Sequence, residues 1–110
     1  MEHGVLIEDI AGRRRREGID DADLRDDIRG LAVGDLVRLT LRADQSPTGE
    51  TVVVRITEVG AAGFRGALAG KPASKALAAL GNGFALGFTA DHIHSLATGR
   101  AGRGSDRRVY

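Results

Sequence analysis

GDLVRLTLR, residues 34–42, is the stretch on which the reading of the fold turns. After a Gly-Asp turn, apolar side chains fall at every second position, Val37, Leu39 and Leu41, with Arg38, Thr40 and Arg42 between them. Successive side chains of a strand point to opposite faces, so the pattern predicts a half-buried β-strand with a basic outer face. The loop ADQSPTGE (43–50) follows, and ETVVVRITEVG repeats the alternation with Val52, Val54 and Ile56 inward. Two strands joined by such a loop form a hairpin. Glycines 60 and 63 turn the chain into a third strand, FRGAL (64–68), with Phe64 and Leu68 inward and Arg65 outward.

Beyond that meander the signals shorten. ASKALAAL (73–80), just after Pro72, is rich in helix formers and reads as a short helix. FALGFT (84–89) reads as a fourth strand, and DHIHSL (91–96) either closes the barrel or drops into a 3-10 turn. Phe88 and Ile93 are expected to anchor this segment in the core.

Upstream, IDDADLRDDIRGL (19–31) carries the clearest helical pattern. Leu24, Ile28 and Leu31 share one face, Asp20 or Asp21 is placed to cap the free amides, and Gly30 supplies the stop. Residues 1–18 read as an arm or a weak helix. Residues 97–110 lack apolar periodicity and read as a disordered basic tail. Residues 19–96 are then a single domain of α+β class, mainly β. The expected architecture is a small, partly closed barrel, SH3-like in size, of four to five strands, with a leading helix and a short helix before the last strands. Closure suits so short a chain because it removes exposed strand edges.

Composition narrows the functions. The chain has no cysteine and no tryptophan, which excludes disulfides and thiolate chemistry. No apolar run approaches the ~20 residues of a membrane span, and MEHGVLIEDI lacks the features of a signal peptide, so a soluble cytoplasmic protein is expected. The net charge of +1 is modest for a dedicated DNA-binding protein. Its distribution is uneven, with acids crowded in 1–30 and arginines in the tail.

The order GDLVRLTLR, VVVRITEV, FRGAL with a proline four residues on, GFALGF and DHI resembles a bacterial domain family of unknown function. Its pattern is close to G-D-x-V-K-L, W-V-x-V-T-x-V, G-x-L-x-N-x-P, G-x-x-V-x-F and E-H-I. The resemblance covers residues 31–96. It implies a small β-barrel-like domain of bacterial origin with an accessory role, of which an immunity-type role is one form, and it carries over no catalytic residue. The chain departs from the pattern at Val53, where the family has Trp, at Ala69-Gly70-Lys71 before the proline, and at Ser95-Leu96, where the family has an acid.

Candidate sites follow from these placements. His92 and His94, two apart on a regular strand, could share an ion, but a further ligand is needed and Asp91 would point away. Asp91 and His92 are the expected shapers of a structural turn. The aspartates of 19–31 do not follow the spacing of a calcium loop. No G-x-S-x-G, phosphate loop or carboxylate pair in a cleft is evident, so no enzyme activity, metal or cofactor is expected. Arg38, Arg42, Arg55 and Arg65, with Val53 among them, form a candidate basic binding surface on the outer face of the strands. The expected partner is another protein. The alternative is nucleic acid, gripped by that stripe and by Arg13, Arg14, Arg15, Arg16, Arg100, Arg103, Arg107 and Arg108.

Overall fold

The computed structural model describes residues 5–43, 48–74, 77 and 80–97. Six antiparallel strands form one sheet rolled into a nearly closed barrel: β1 (Val5–Ile7), β2 (Leu36–Ala43), β3 (Glu50–Val59), β4 (Phe64–Leu68), β5 (Ala85–Phe88) and β6 (Ile93–Leu96). Two helices, α1 (Ile10–Arg16) and α2 (Ala22–Arg29), precede β2, and a 3-10 turn, Ala90–His92, separates β5 from β6. The class is the expected one, mainly β with some helix.

β2 organises the sheet. One edge pairs with β3, Val37 facing Val54 and Leu39 facing Val52. The other edge is shared: β6 takes Val37–Leu39 and β1 takes Leu41–Ala43. Val37, Leu39 and Leu41 have no solvent exposure, and Val54 and Ile56 opposite are equally buried. Each such side chain contributes about 1.5–3 kcal/mol on leaving water. The predicted inward positions of both strands are all buried; of the outward ones Thr40 is buried as well, at 9% exposure, with its hydroxyl 3.3 Å from that of Thr51 on β3.

Several expectations are corrected. β1 is a sixth strand within the stretch read as an arm or a weak helix. Three residues carry too little pattern to announce a strand, and only the free half-edge of β2 makes them one. α1 is a firm helix: Ile10 is 1% exposed, and Asp9 Oδ1 accepts the Gly12 amide at 2.9 Å. Asp21 does precede α2, but its carboxylate makes no cap; it binds Arg14 instead. Gly30 is the C-cap that ends α2, as expected, and does so at φ −95°. The fourth strand is shorter than read, because Thr89 leaves the sheet to begin the 3-10 turn. Both readings of DHIHSL apply, turn first and closing strand second.

Of the predicted helix 73–80, residues 75, 76, 78 and 79 lie outside the described residues. Leu77 and Leu80 are buried in the core, and the Glu50 carboxylate accepts the amides of Ala73 and Ser74 at 2.6 and 2.8 Å. Residues 98–110 of the predicted tail also lie outside the described residues.

Gly66 marks the tightest part of the barrel wall. A Cβ there would sit 2.5 Å from Val54 Cγ1 and 2.7 Å from the Arg55 carbonyl oxygen. At Gly87, on the neighbouring strand, the nearest atom would be 4.0 Å away. Gly66→Ala is therefore expected to cost roughly 1–3 kcal/mol by overpacking. Gly87→Ala should be neutral or stabilising by up to about 1 kcal/mol. Urea unfolding of the two variants checks the opposite signs.

Candidate functional site

The arginines of the outer face do not form one open stripe. Arg38 is half-buried, and its Nη1 donates to the Leu96 carbonyl at 2.8 Å and to Ser95 Oγ at 3.2 Å, fastening β6 to β2. Arg42 lies 3.4 Å from Glu8, which also pairs with Arg13 at 3.1 Å. Arg65 sits 3.9 Å from Glu58 across the β3–β4 hairpin. Arg55 is exposed, and Val53, opposite Arg38, is half-buried. Alternation put these side chains on the correct face. It could not show that Glu8 and β6 lie there too.

The histidines part company. His92 is in the 3-10 turn, where its Nδ1 accepts the Thr89 amide at 3.0 Å while its own amide donates back to the Thr89 carbonyl at 3.0 Å. This reciprocal cap is how the His92 ring shapes the turn. Asp91 is exposed beside it. His94 is the extra residue of β6: Arg38 faces Ser95, Leu39 faces Ile93, and the register shifts between them. The two rings therefore do not share a regular strand face. Among the described residues no three acids, histidines or cysteines gather as a metal set.

His94 is partly buried near three arginines. Its Nδ1 is 3.0 Å from Ser95 Oγ, and its carbonyl accepts Arg14 Nη2 at 3.2 Å. Burial, then the charges of Arg14, Arg38 and Arg13, hold its imidazole below the ordinary value.

Arg14 is also the hinge pin of the helical side of the molecule. Its other terminal nitrogen donates to Asp21 at 2.9 Å, so one guanidinium ties α1 to the start of α2 and to β6. The helices and the 3-10 turn thereby bound a groove of about 280 Å³. Its apolar surface comes from Ile19, Leu24, Ile28 and Ile93, with Ala11 and Ala90. Ile93 and Ile28 belong to the core, whereas Ile19 is 49% exposed. Arg14, Arg15, Arg25 and Arg29 stand around it with Asp21 and Asp91. A broader hollow of about 570 Å³ beside the β3–β4 hairpin is edged by Glu58 and Arg65 and has only Phe64 and Phe88 as large apolar side chains.

The groove was missed in the sequence because its residues come from three separated segments. The exposed Ile19, outside the face shared by Leu24, Ile28 and Leu31 in the sequence, was the one available signal. The RRRR run falls in the last turn of α1, where basic groups oppose the negative helix end.

His94 gives a pH signature. An imidazole depressed on folding binds fewer protons in the native state than in the unfolded chain, so stability is greatest above about pH 6.5 and falls as the pH drops toward the native value. In His94→Gln this part of the slope should vanish. Denaturant unfolding of wild type and variant between neutral and mildly acidic pH checks it; parallel slopes would refute the assignment.

Compared with known proteins, the chain matches no family model, no curated protein and no solved structure.

Proposed function

We propose that this chain is a non-enzymatic, cytoplasmic protein-interaction domain of the accessory type, and that its partner seats in the groove between α1, α2 and the 3-10 turn. One observation carries the reading: Ile19, half exposed, extends the apolar floor of Leu24, Ile28 and Ile93 to the surface within a ring of arginines. Exposed apolar side chains gathered in a concavity mark interaction sites, and arginine is enriched where binding energy concentrates. No helix among the described residues is long and apolar enough to cross a membrane.

The nucleic-acid reading has less support. Arg13, Arg14, Arg38, Arg42 and Arg65 each have an intramolecular partner. Arg55 and the exposed Arg15 and Arg16 are what favours it.

Affinity capture from the native cell with wild type, Ile19→Glu and Arg55→Glu tests the proposal. Partners identified with wild type should be lost with Ile19→Glu and kept with Arg55→Glu. An unchanged set with Ile19→Glu would overturn it. Binding to generic duplex or single-stranded DNA at about 50 mM salt is expected to be absent; micromolar, steeply salt-dependent binding would instead favour the nucleic-acid reading.

A further inference from the structure

We infer that this chain pairs with a second copy of itself through the outer edge of β5, the two strands running antiparallel about a two-fold axis at Leu86. This surface is separate from the groove, since no residue of β5 lines it. Either reading can fail without the other.

The chemistry of the edge names the kind of occupant. Among the described residues β5 pairs with β4 and with no other strand. In an antiparallel ladder alternate residues bond to the neighbour. The Leu68 amide donates to the Phe84 carbonyl at 2.9 Å, and Leu86 and Phe88 face Gly66 and Phe64 in the same phase. The amides and carbonyls of Ala85 and Gly87 therefore point away from β4, and both residues are exposed. Such a row of donors and acceptors is completed by another extended backbone.

This edge also lacks the usual protection. β1 is three residues long, and β6 is irregular where its register with β2 shifts. β5 keeps an even register along its length, and ALGF contains neither a charge nor a proline. Short length, bulges, charges and proline are the devices that keep an edge from pairing.

The sequence then selects a second copy. FALGF, residues 84–88, reads nearly the same in both directions: Leu at the centre, a small residue on each side, Phe at each end. A two-fold interface sets residue i against j and j against i, so this strand matches its own reverse. With the axis at Leu86, Ala85 meets the second copy's Gly87, and each such pair exchanges both backbone bonds. On the core side Leu86 meets its own image, and Phe84 meets Phe88 at both ends. Phe84 and Leu86 are only partly buried and border the core, so pairing covers apolar surface that one copy leaves in water. Aromatic cross-strand pairs add to the gain. An axis at Ala85 would set Phe88 against Asn82. One at Gly87 would set Phe84 against Ala90, which has already left the sheet.

Sedimentation velocity of the full chain over a wide concentration range tests the inference. A monomer–dimer equilibrium is expected, weak because the shared edge is short. Gly87→Pro removes an outward amide from each copy and leaves the bonds to β4 in place, as an edge position allows. It should weaken the dimer at least about tenfold with an unchanged circular dichroism spectrum. The lack of native cysteine permits a second readout. In Leu86→Cys the thiols face each other across the axis, with Cα atoms about 4.5 Å apart, inside the disulfide range of roughly 4.4–6.8 Å. Mild oxidation should cross-link this variant rapidly and leave Val59→Cys, at a position 45% exposed, monomeric.

A chain that stays monomeric at its highest soluble concentration would overturn the inference. So would Leu86→Cys cross-linking no faster than Val59→Cys, or a dimer that survives Gly87→Pro. A dimer lost with Ile19→Glu would seat the second copy in the groove instead, and assembly beyond the dimer would mean a head-to-tail contact; both refute pairing at Leu86. If Gly87→Pro does not fold, the cysteine comparison decides.

Discussion

The double use of β2 is the constraint from which the rest follows. One strand must be hydrogen-bonded along both edges while its inner face loses all contact with water. β3 satisfies one edge along most of its length. The other is divided between strands from the two ends of the fold, β1 and β6. Val37, Leu39 and Leu41 can be fully buried only because both halves are covered. The barrel is therefore closed by joining its early and late segments at one strand rather than by a continuous sixth partner.

That arrangement dictates where helices can go. The chain leaves β1 at one half of the β2 edge and must return to the start of β2, passing the turn that leads into β6. α1 fills this passage, with Ile10 buried and Arg14 reaching both Asp21 and the His94 carbonyl. α2 lays Ile28 on the core, and Leu31, just past its end, joins it there. Two short helices meeting a turn at an angle cannot close completely over the barrel, and the remaining gap is the groove. Its apolar floor is thus continuous with the core, and its arginine edge is a by-product of helix polarity and of the salt links that hold the frame.

Legibility in the sequence followed the range of the interactions. The inward residues of β2 and β3 were readable because period-two alternation is a local signal and a one-residue slip would expose every one of them; that Thr40 on the other face is also covered was not. The core positions Phe88 and Ile93 were readable for the same reason, as was the turn role of His92, whose partner is three residues away. β1 was not, since three residues gain strand structure only from an edge more than thirty positions distant. The arginine stripe was half readable. Its orientation follows from alternation, but Arg38 is held by residues 57 and 58 positions downstream. Asp21 shows the limit most simply: its position fits a cap, while a guanidinium seven residues back makes the stronger offer. The groove, assembled from three segments, left only Ile19 as a trace.

The division of the β2 edge also has a consequence for synthesis. As the chain emerges, β1, β2 and β3 become available together, whereas β6 follows only after some thirty-four further residues. During that interval the Val37–Leu39 half of the edge presents unpaired amides and carbonyls beside a strongly apolar face, the template that foreign strands exploit. β1 already occupies the other half. Three N-terminal residues that contribute little to the core thus halve the length of exposed edge on the ribosome, and act for the nascent chain as a built-in guard against mispairing.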